Sequence, residues 1–263
     1  MAIWRIAAAF AAMLSMSAAS ITINAAEISV LSTTASKEAL LELVPMFERA
    51  SGHRVNITYG GGVDMTNRVR GGIAADLFIG PAEFTDPLLR EGKLVAGSRV
   101  DFARSSTGVA VRAGATRPDI GTPEKLRAAL LAAKSVSYSA GASGIHFVKV
   151  LERLGIAQQV QSARVAPRPG ELVGAVVARG AAEIGVQQIS ELLPVEGIDI
   201  LGPLPDELQQ AIVYGASALP SSTQHEAARE FVAFLRSGHA APVIRKKGME
   251  PLWIRVRTCW RDA

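Results

Sequence analysis

From Glu27 onward, short runs of β-branched and aliphatic residues alternate with stretches of helical period, and this alternation limits the chain to few architectures. Residues 28–31 (ISVL) read as a strand. Leu40, Leu43, Val44 and Phe47 then recur at helical spacing over 37–50, and Gly52 closes that helix. Residues 54–59 alternate as a second strand, and Gly60, Gly61 and Gly62 turn the chain into a helix starting near Asp64. The apolar strand 76–79 (DLFI) precedes a helix over 82–91. Such a βαβαβ order predicts a mostly parallel sheet with helices on both faces. A second series follows, with strands at 109–112, 136–138, 164–165, 183–186 and 212–216. Its helices fall at 123–133, 145–154, 172–179, 224–236 and 240–247. Periodicity alone leaves open whether the two series build one large sheet or two lobes.

Charge excludes one class of partner. Arg5 is the one charge before Glu27, and Arg255, Arg257, Arg261 and Asp262 follow Pro251, so the net charge of +4 falls to +1 for the body between them. A near-neutral body has no basic stripe for a phosphate backbone, and 5% aromatic residues offer few stacking platforms. No nucleic-acid partner is expected. With 263 residues, 49% of them hydrophobic, the chain can bury a core without staples. Cys259 is the single cysteine, which excludes an intrachain disulfide and a cysteine-based metal site.

The first 26 residues carry Arg5, an uncharged stretch over 6–21 rich in Ala, Met and Leu, and Ala25-Ala26 before Glu27. That is the layout of a secretory signal peptide, with an uncleaved membrane anchor as the other reading; no cysteine directly follows it to take a lipid, so a soluble periplasmic protein is expected after cleavage. Residues 252–263 hold two tryptophans and three arginines and read as a separate tail.

Six segments carry a family resemblance: EISVLSTTASKEAL from Glu27, FERASGHRVNITYGGG from Phe47, and RGGIAADLFIGPAE around Asp76. They continue with SGIHFVKVLERLGI from Ser143, ARGAAEIGVQQISE from Ala178 and AAPVIRKKGMEP from Ala240. Together they resemble periplasmic molybdate-binding proteins and their wider type II solute-binding relatives. The resemblance implies an α/β fold of two lobes joined by two crossing strands, with a ligand cleft between. On it, lobe one is 27–106 plus 214–251 and lobe two is 107–213, crossing at 107–112 and 210–216. It also implies a small anionic ligand, an ABC permease as partner, a monomer, and no cofactor or metal.

Four loops are expected in the cleft. The first holds Ser32, Thr33, Thr34, Ala35 and Ser36 ahead of a helix, where hydroxyls and unpaired N–H groups suit an anion, although Ser36 could be an ordinary cap. The second holds Gly60, Gly61 and Gly62, which permit positive φ and close approach of backbone to ligand, or a plain turn. The third runs from Ser139 to Gly144 and contains Ser143. The fourth is Gln187-Gln188, whose amides could hold ligand oxygens or satisfy backbone groups. In the family's pattern two serine ligands fall on Ala35 and Gly62, a tyrosine on Gln188, an alanine amide on Ser143 and a valine amide near Leu172. The hydroxyl contacts are therefore lost, at about 1.5–3 kcal/mol for each bond to a buried charge, and molybdate is disfavoured. Arg168, in a loop that the family lines against the cleft, would pair bidentately with a carboxylate, or stand as a solvated loop arginine. Gln187, Gln188 and Arg168 together suit a small di- or tricarboxylate.

Standard catalytic signatures are absent from the sequence, and His53, His146, His225 and His239 have no metal-ligand spacing. His225 and His239 are expected at the surface. His146 could act as acid or base on an anion held by Ser143, or simply pack. The enzyme reading stays open because aconitate isomerase, which moves a proton and a double bond without a cofactor, is similar to the molybdate-binding family. A tricarboxylate receptor would need the same cradle.

Overall fold

The computed structural model describes residues 25–252. The signal-peptide reading up to Asn24, the tail after Leu252 and Cys259 lie outside the described residues.

The chain begins with β1 (Glu27–Thr33), a 3-10 turn (Thr34–Ser36), α1 (Lys37–Ser51), β2 (Arg54–Gly60), α2 (Gly62–Arg70), β3 (Leu77–Pro81), α3 (Ala82–Arg90) and β4 (Val100–Ser105). It then forms β5 (Thr107–Arg112), α4 (Pro123–Ala132), β6 (Val136–Tyr138), α5 (Ala142–Arg153), α6 (Ala157–Ser162), α7 (Val173–Ala178), β7 (Ile184–Gln188), α8 (Ile189–Leu192) and β8 (Ile198–Pro203). It closes with β9 (Ile212–Ala218), α9 (His225–Leu235), α10 (Ala241–Lys246) and β10 (Met249–Pro251).

Two sheets result, one in the order β10-β4-β9-β3-β1-β2 and one in the order β6-β7-β5-β8. The expectation of a mostly parallel sheet is corrected. Pairs β1–β2, β1–β3 and β6–β7 are parallel, and the other pairs are antiparallel. The cause is the route of the chain: β9 returns from the second sheet and inserts between β3 and β4, against the direction of both. Of the segments expected to cross, 107–112 and 210–216, the first lies in the second sheet and the second joins the first sheet from Ile212. The chain crosses at Ser106 and comes back over 204–211. The Gln209 side chain brackets the Thr107 backbone there, accepting from its N–H at 3.2 Å and donating to its carbonyl at 2.9 Å. Residues 164–165 make only an isolated bridge, Arg164 to Val136.

Alternation along β1 and β3 loads both faces of the first sheet. Ile28, Val30, Leu77 and Ile79 pack with Leu40, Leu43 and Phe47 of α1 and Phe231 of α9. Leu31 and Phe78 face the other way, onto Met65 of α2 and Leu88 of α3. In the second sheet Val109, Val111 and Val186 pack with Leu126, Phe147 and Leu151, and Val176 and Val177 of α7 form a smaller cluster with Ala182. Gly52 ends α1 in the left-handed conformation, φ 77°, and its N–H bonds the Glu48 carbonyl, a geometry a residue with a Cβ adopts only at a cost.

Asp76 ties the first sheet together. Its Oδ2 accepts the Ser29 N–H of β1 at 2.8 Å. Its Oδ1 accepts the Ser222 hydroxyl at 2.9 Å and the N–H groups of Thr223 and Gln224 at 3.0 and 3.2 Å, just ahead of α9.

Candidate functional site

The C-terminal ends of β1, β3, β6 and β7 converge on a cleft of about 400 Å³, within the size range of small-molecule sites, about 300–1,000 Å³. Thr33, Thr34, Ala35, Gly61, Gly62, Ser143, Arg168, Leu172, Gln187 and Gln188 all line it. They come from both sheets, so the cleft is shared between the two halves of the molecule.

Ser36 does not cap α1. It is buried with Ser32, and the two hydroxyls meet at 3.1 Å, leaving Thr33 and Thr34 as the hydroxyls of this loop that reach the cleft. The glycine triplet takes no positive φ, and Gly61 is extended at φ −62°, ψ 149°. Gly62 is needed for packing instead, because a Cβ there would lie 2.6 Å from a ring carbon of Phe84, itself a cleft residue. Gln187 serves the backbone, its Oε1 accepting the Val173 N–H at 2.9 Å and so fixing the start of α7. Gln188 does not, and its Oε1 is buried with no partner. Thr33 Oγ1 and Ser143 Oγ are likewise buried and unpartnered. Three orphan polar atoms from three different segments thus line one cavity, and buried groups of this kind normally find a partner.

His146 is not among the residues that line the cleft. Its Nε2 lies 2.9 Å from the Leu208 carbonyl. A carbonyl only accepts, so Nε2 must carry the proton. Burial pushes the imidazole below its ordinary range, the Leu208 hydrogen bond opposing. His146→Ala should therefore lower the melting temperature while leaving ligand affinity within about twofold, measured by calorimetry. A tenfold loss of affinity would restore it to the site. His225 and His239 are exposed.

The wall also contains residues that the sequence reading did not place in the site, among them Arg164, Glu191, Tyr214 and Phe84. The Arg164 guanidinium lies 4.3 Å over the Tyr138 ring and donates from Nη2 to the Tyr138 carbonyl at 3.3 Å, while its Nε is buried without a partner. Among the described residues neither Arg164 nor Arg168 forms an ion pair. Glu191 follows β7 on α8, and its Oε1 accepts the Thr34 hydroxyl at 2.6 Å, linking the two halves across the cleft. Burial pushes this carboxyl up, with Thr34 and Gln187 opposing. Burial also pushes the Tyr214 phenol well above its ordinary range, the Glu191 charge adding to it. The cleft wall thus holds two arginines and a buried carboxyl whose acidity burial weakens.

The family described as bacterial extracellular solute-binding protein matches residues 28–250. Among curated proteins, the aconitate isomerase of a Pseudomonas species is 35% identical over 230 residues, covering 86% of this chain and 88% of that protein. The molybdate-binding protein of Azotobacter vinelandii is 26% identical over 233 residues, covering 86% of this chain and 90% of that protein. Its namesake structure, the A. vinelandii periplasmic molybdate-binding protein, superposes with a TM-score of 0.70 at 21% identity, covering 84% of this chain and 98% of that one. The sulfate-binding protein SubI of Mycobacterium tuberculosis also gives 0.70, at 17% identity over 86% of this chain and 87% of that one. These structures share the fold. The chain belongs to the bacterial extracellular solute-binding protein family.

Proposed function

We propose that this protein binds a small di- or tricarboxylate in the cleft, in the periplasm, and presents it to an inner-membrane ABC permease. The observation that carries this reading is the pair Arg164 and Arg168, a half-buried and an exposed arginine of the cleft-lining segments with no ion pair among the described residues. A planar guanidinium matches a carboxylate bidentately, and two of them ask for a ligand with at least two carboxylates. Thr33, Ser143 and Gln188 supply further polar contacts. The lobes 27–106 with 214–251 and 107–213 would close on the ligand about Ser106 and 204–211, as a monomer after removal of the signal peptide.

The test is a thermal-shift and calorimetry panel with citrate, both aconitates, succinate, molybdate and sulfate. A tricarboxylate at a hundredfold its Kd should stabilise the protein by about 2.7 kcal/mol. Arg164→Ala and Arg168→Ala should each weaken it by roughly 10- to 100-fold, as for a charged hydrogen bond. Stabilisation by molybdate or sulfate alone would overturn the carboxylate reading.

A second reading is that the same cleft interconverts trans- and cis-aconitate. Two observations favour it: the 35%-identical relative bears that activity in its name, and the cleft wall contains a buried carboxyl, Glu191. Incubation of the purified protein with trans-aconitate, followed by NMR, separates the two, because a receptor returns the ligand unchanged.

A further inference from the structure

We propose that Glu191 carries the proton in that isomerisation, taking it from the methylene carbon of bound aconitate and returning it to the far end of the double bond. The inference rests on the isomerase reading, and it is drawn from the wall of the cleft. Its carboxyls are Glu171 and Glu191. Glu171 is occupied, accepting from Arg179 Nη1 at 2.9 Å and from the Arg168 N–H at 2.9 Å. Glu191 is 8% exposed, and its Oε1 is held by the Thr34 hydroxyl at 2.6 Å. That bond spans the cleft, so closure of the two halves fixes the rotamer of the carboxyl beside the ligand. The remaining acid–base candidates are poor ones. His146 is outside the cleft with its ring proton on Leu208, and the Tyr214 phenol holds its proton too firmly to act as a base. Burial makes the ionised form of Glu191 a stronger base than an exposed carboxylate.

The step balances without a co-reactant. Ionised Glu191 breaks one C–H bond of the methylene, and the electron pair spreads over the three-carbon allyl system and its carboxylates. The now neutral Glu191 then gives the proton to the former vinyl carbon, and the double bond moves one place. The two ends of the ligand exchange roles, the product is cis when the former methylene carboxylate is held in the cis orientation about the new double bond, and Glu191 returns to its starting state. Arg164 and Arg168 would hold the carboxylates onto which the charge spreads.

The test compares wild type, Glu191→Gln and Thr34→Val, reading trans-aconitate affinity by calorimetry and turnover by NMR. Glu191→Gln should bind within about threefold of wild type while turnover falls about a thousandfold, within the range for loss of a general acid–base group. A Glu191→Gln protein that binds and turns over within tenfold of wild type would sink the role of Glu191 and leave the isomerase reading standing. A wild type that leaves trans-aconitate unchanged overturns both. Should Glu191→Gln fail to fold, Thr34→Val decides: a roughly tenfold lower kcat at unchanged KM is expected for a misdirected carboxyl, and an unaltered kcat overturns the proposal.

Discussion

Asp76→Ala should cost about 3–5 kcal/mol of stability, the scale for removing one side of a buried charged network. The ionised carboxylate is 5% exposed and accepts four hydrogen bonds, from β1 and from the segment ahead of α9. Alanine would leave the N–H groups of Ser29, Thr223 and Gln224 without that partner in the interior, and unmet donors carry their full desolvation cost. The effect must also depend on pH. Burial raises the Asp76 pKa, but the bonds from Ser29, Ser222, Thr223 and Gln224 lower it by more, and the net shift is downward. A folded pKa below the unfolded value, about 3.9, means the contribution is complete above that pH. It is lost as pH falls through the folded pKa. Urea unfolding at pH 7 should show the full gap between wild type and Asp76→Ala, and the gap should narrow steadily below about pH 4. A gap that stays constant down to pH 2, or one under 1 kcal/mol at pH 7, would show that the network does not hold the sheet.

The same network explains how much of the fold was legible. Strands β1, β3 and β7 are short, apolar and bounded by glycine or polar residues, so period and punctuation expose them. Strand β4 escaped because its register shifts between Asp101 and Ala103, which breaks the two-residue alternation and leaves Phe102 and Ala103 buried side by side. Strand β8 escaped for a related reason: its ladder with β5 is irregular at Val109/Ala110, and it ends in Gly202 and Pro203. Direction was not legible either, since a strand carries no mark of whether its neighbour runs with it or against it.

The candidate site divides along a similar line. Thr33, Gly61, Ser143 and Gln188 follow strands or open helices, and those positions face the cleft in any sheet of this kind. Arg164 lies on an isolated bridge, and its placement depends on the Tyr138 ring beneath it, a contact between segments 26 residues apart. Glu191 is three residues beyond Gln188, and what marks it is the Thr34 hydroxyl brought from 157 residues away. Charged residues of this sort read as surface in a sequence, and only the tertiary pairing shows Glu191 buried and Arg164 half-buried.

Gly144→Ala should abolish ligand binding while the protein still folds. A Cβ at Gly144 would fall inside the Ser139 carbonyl oxygen, and would lie 2.7 Å from its carbonyl carbon and 3.4 Å from its nitrogen. All three are backbone atoms, so no side chain can swing away to make room. One of two elements must move. Helix α5 is anchored by Phe147, Val150 and Leu151 in the second core, and moving it would disturb three buried side chains. The loop 139–141 is tied less firmly, by a bond from the Gly141 N–H to Ser139 Oγ at 3.1 Å. The loop should therefore yield, and it lines the cleft together with Ser143. Overpacking of this kind costs roughly 1–3 kcal/mol, partly offset by the helix preference of alanine over glycine, about 1 kcal/mol. The melting temperature should drop only modestly, whereas affinity for the bound carboxylate should fall at least about a hundredfold, the loss of two charged contacts. Gly141→Ala is the control, since its Cβ would meet only the Ser139 Oγ at 3.3 Å, an atom that can rotate. Calorimetry on both variants decides the point. Wild-type affinity in Gly144→Ala would mean that the ligand does not rest on this loop, and the site would then have to be sought among the Thr33, Gln188 and arginine contacts alone.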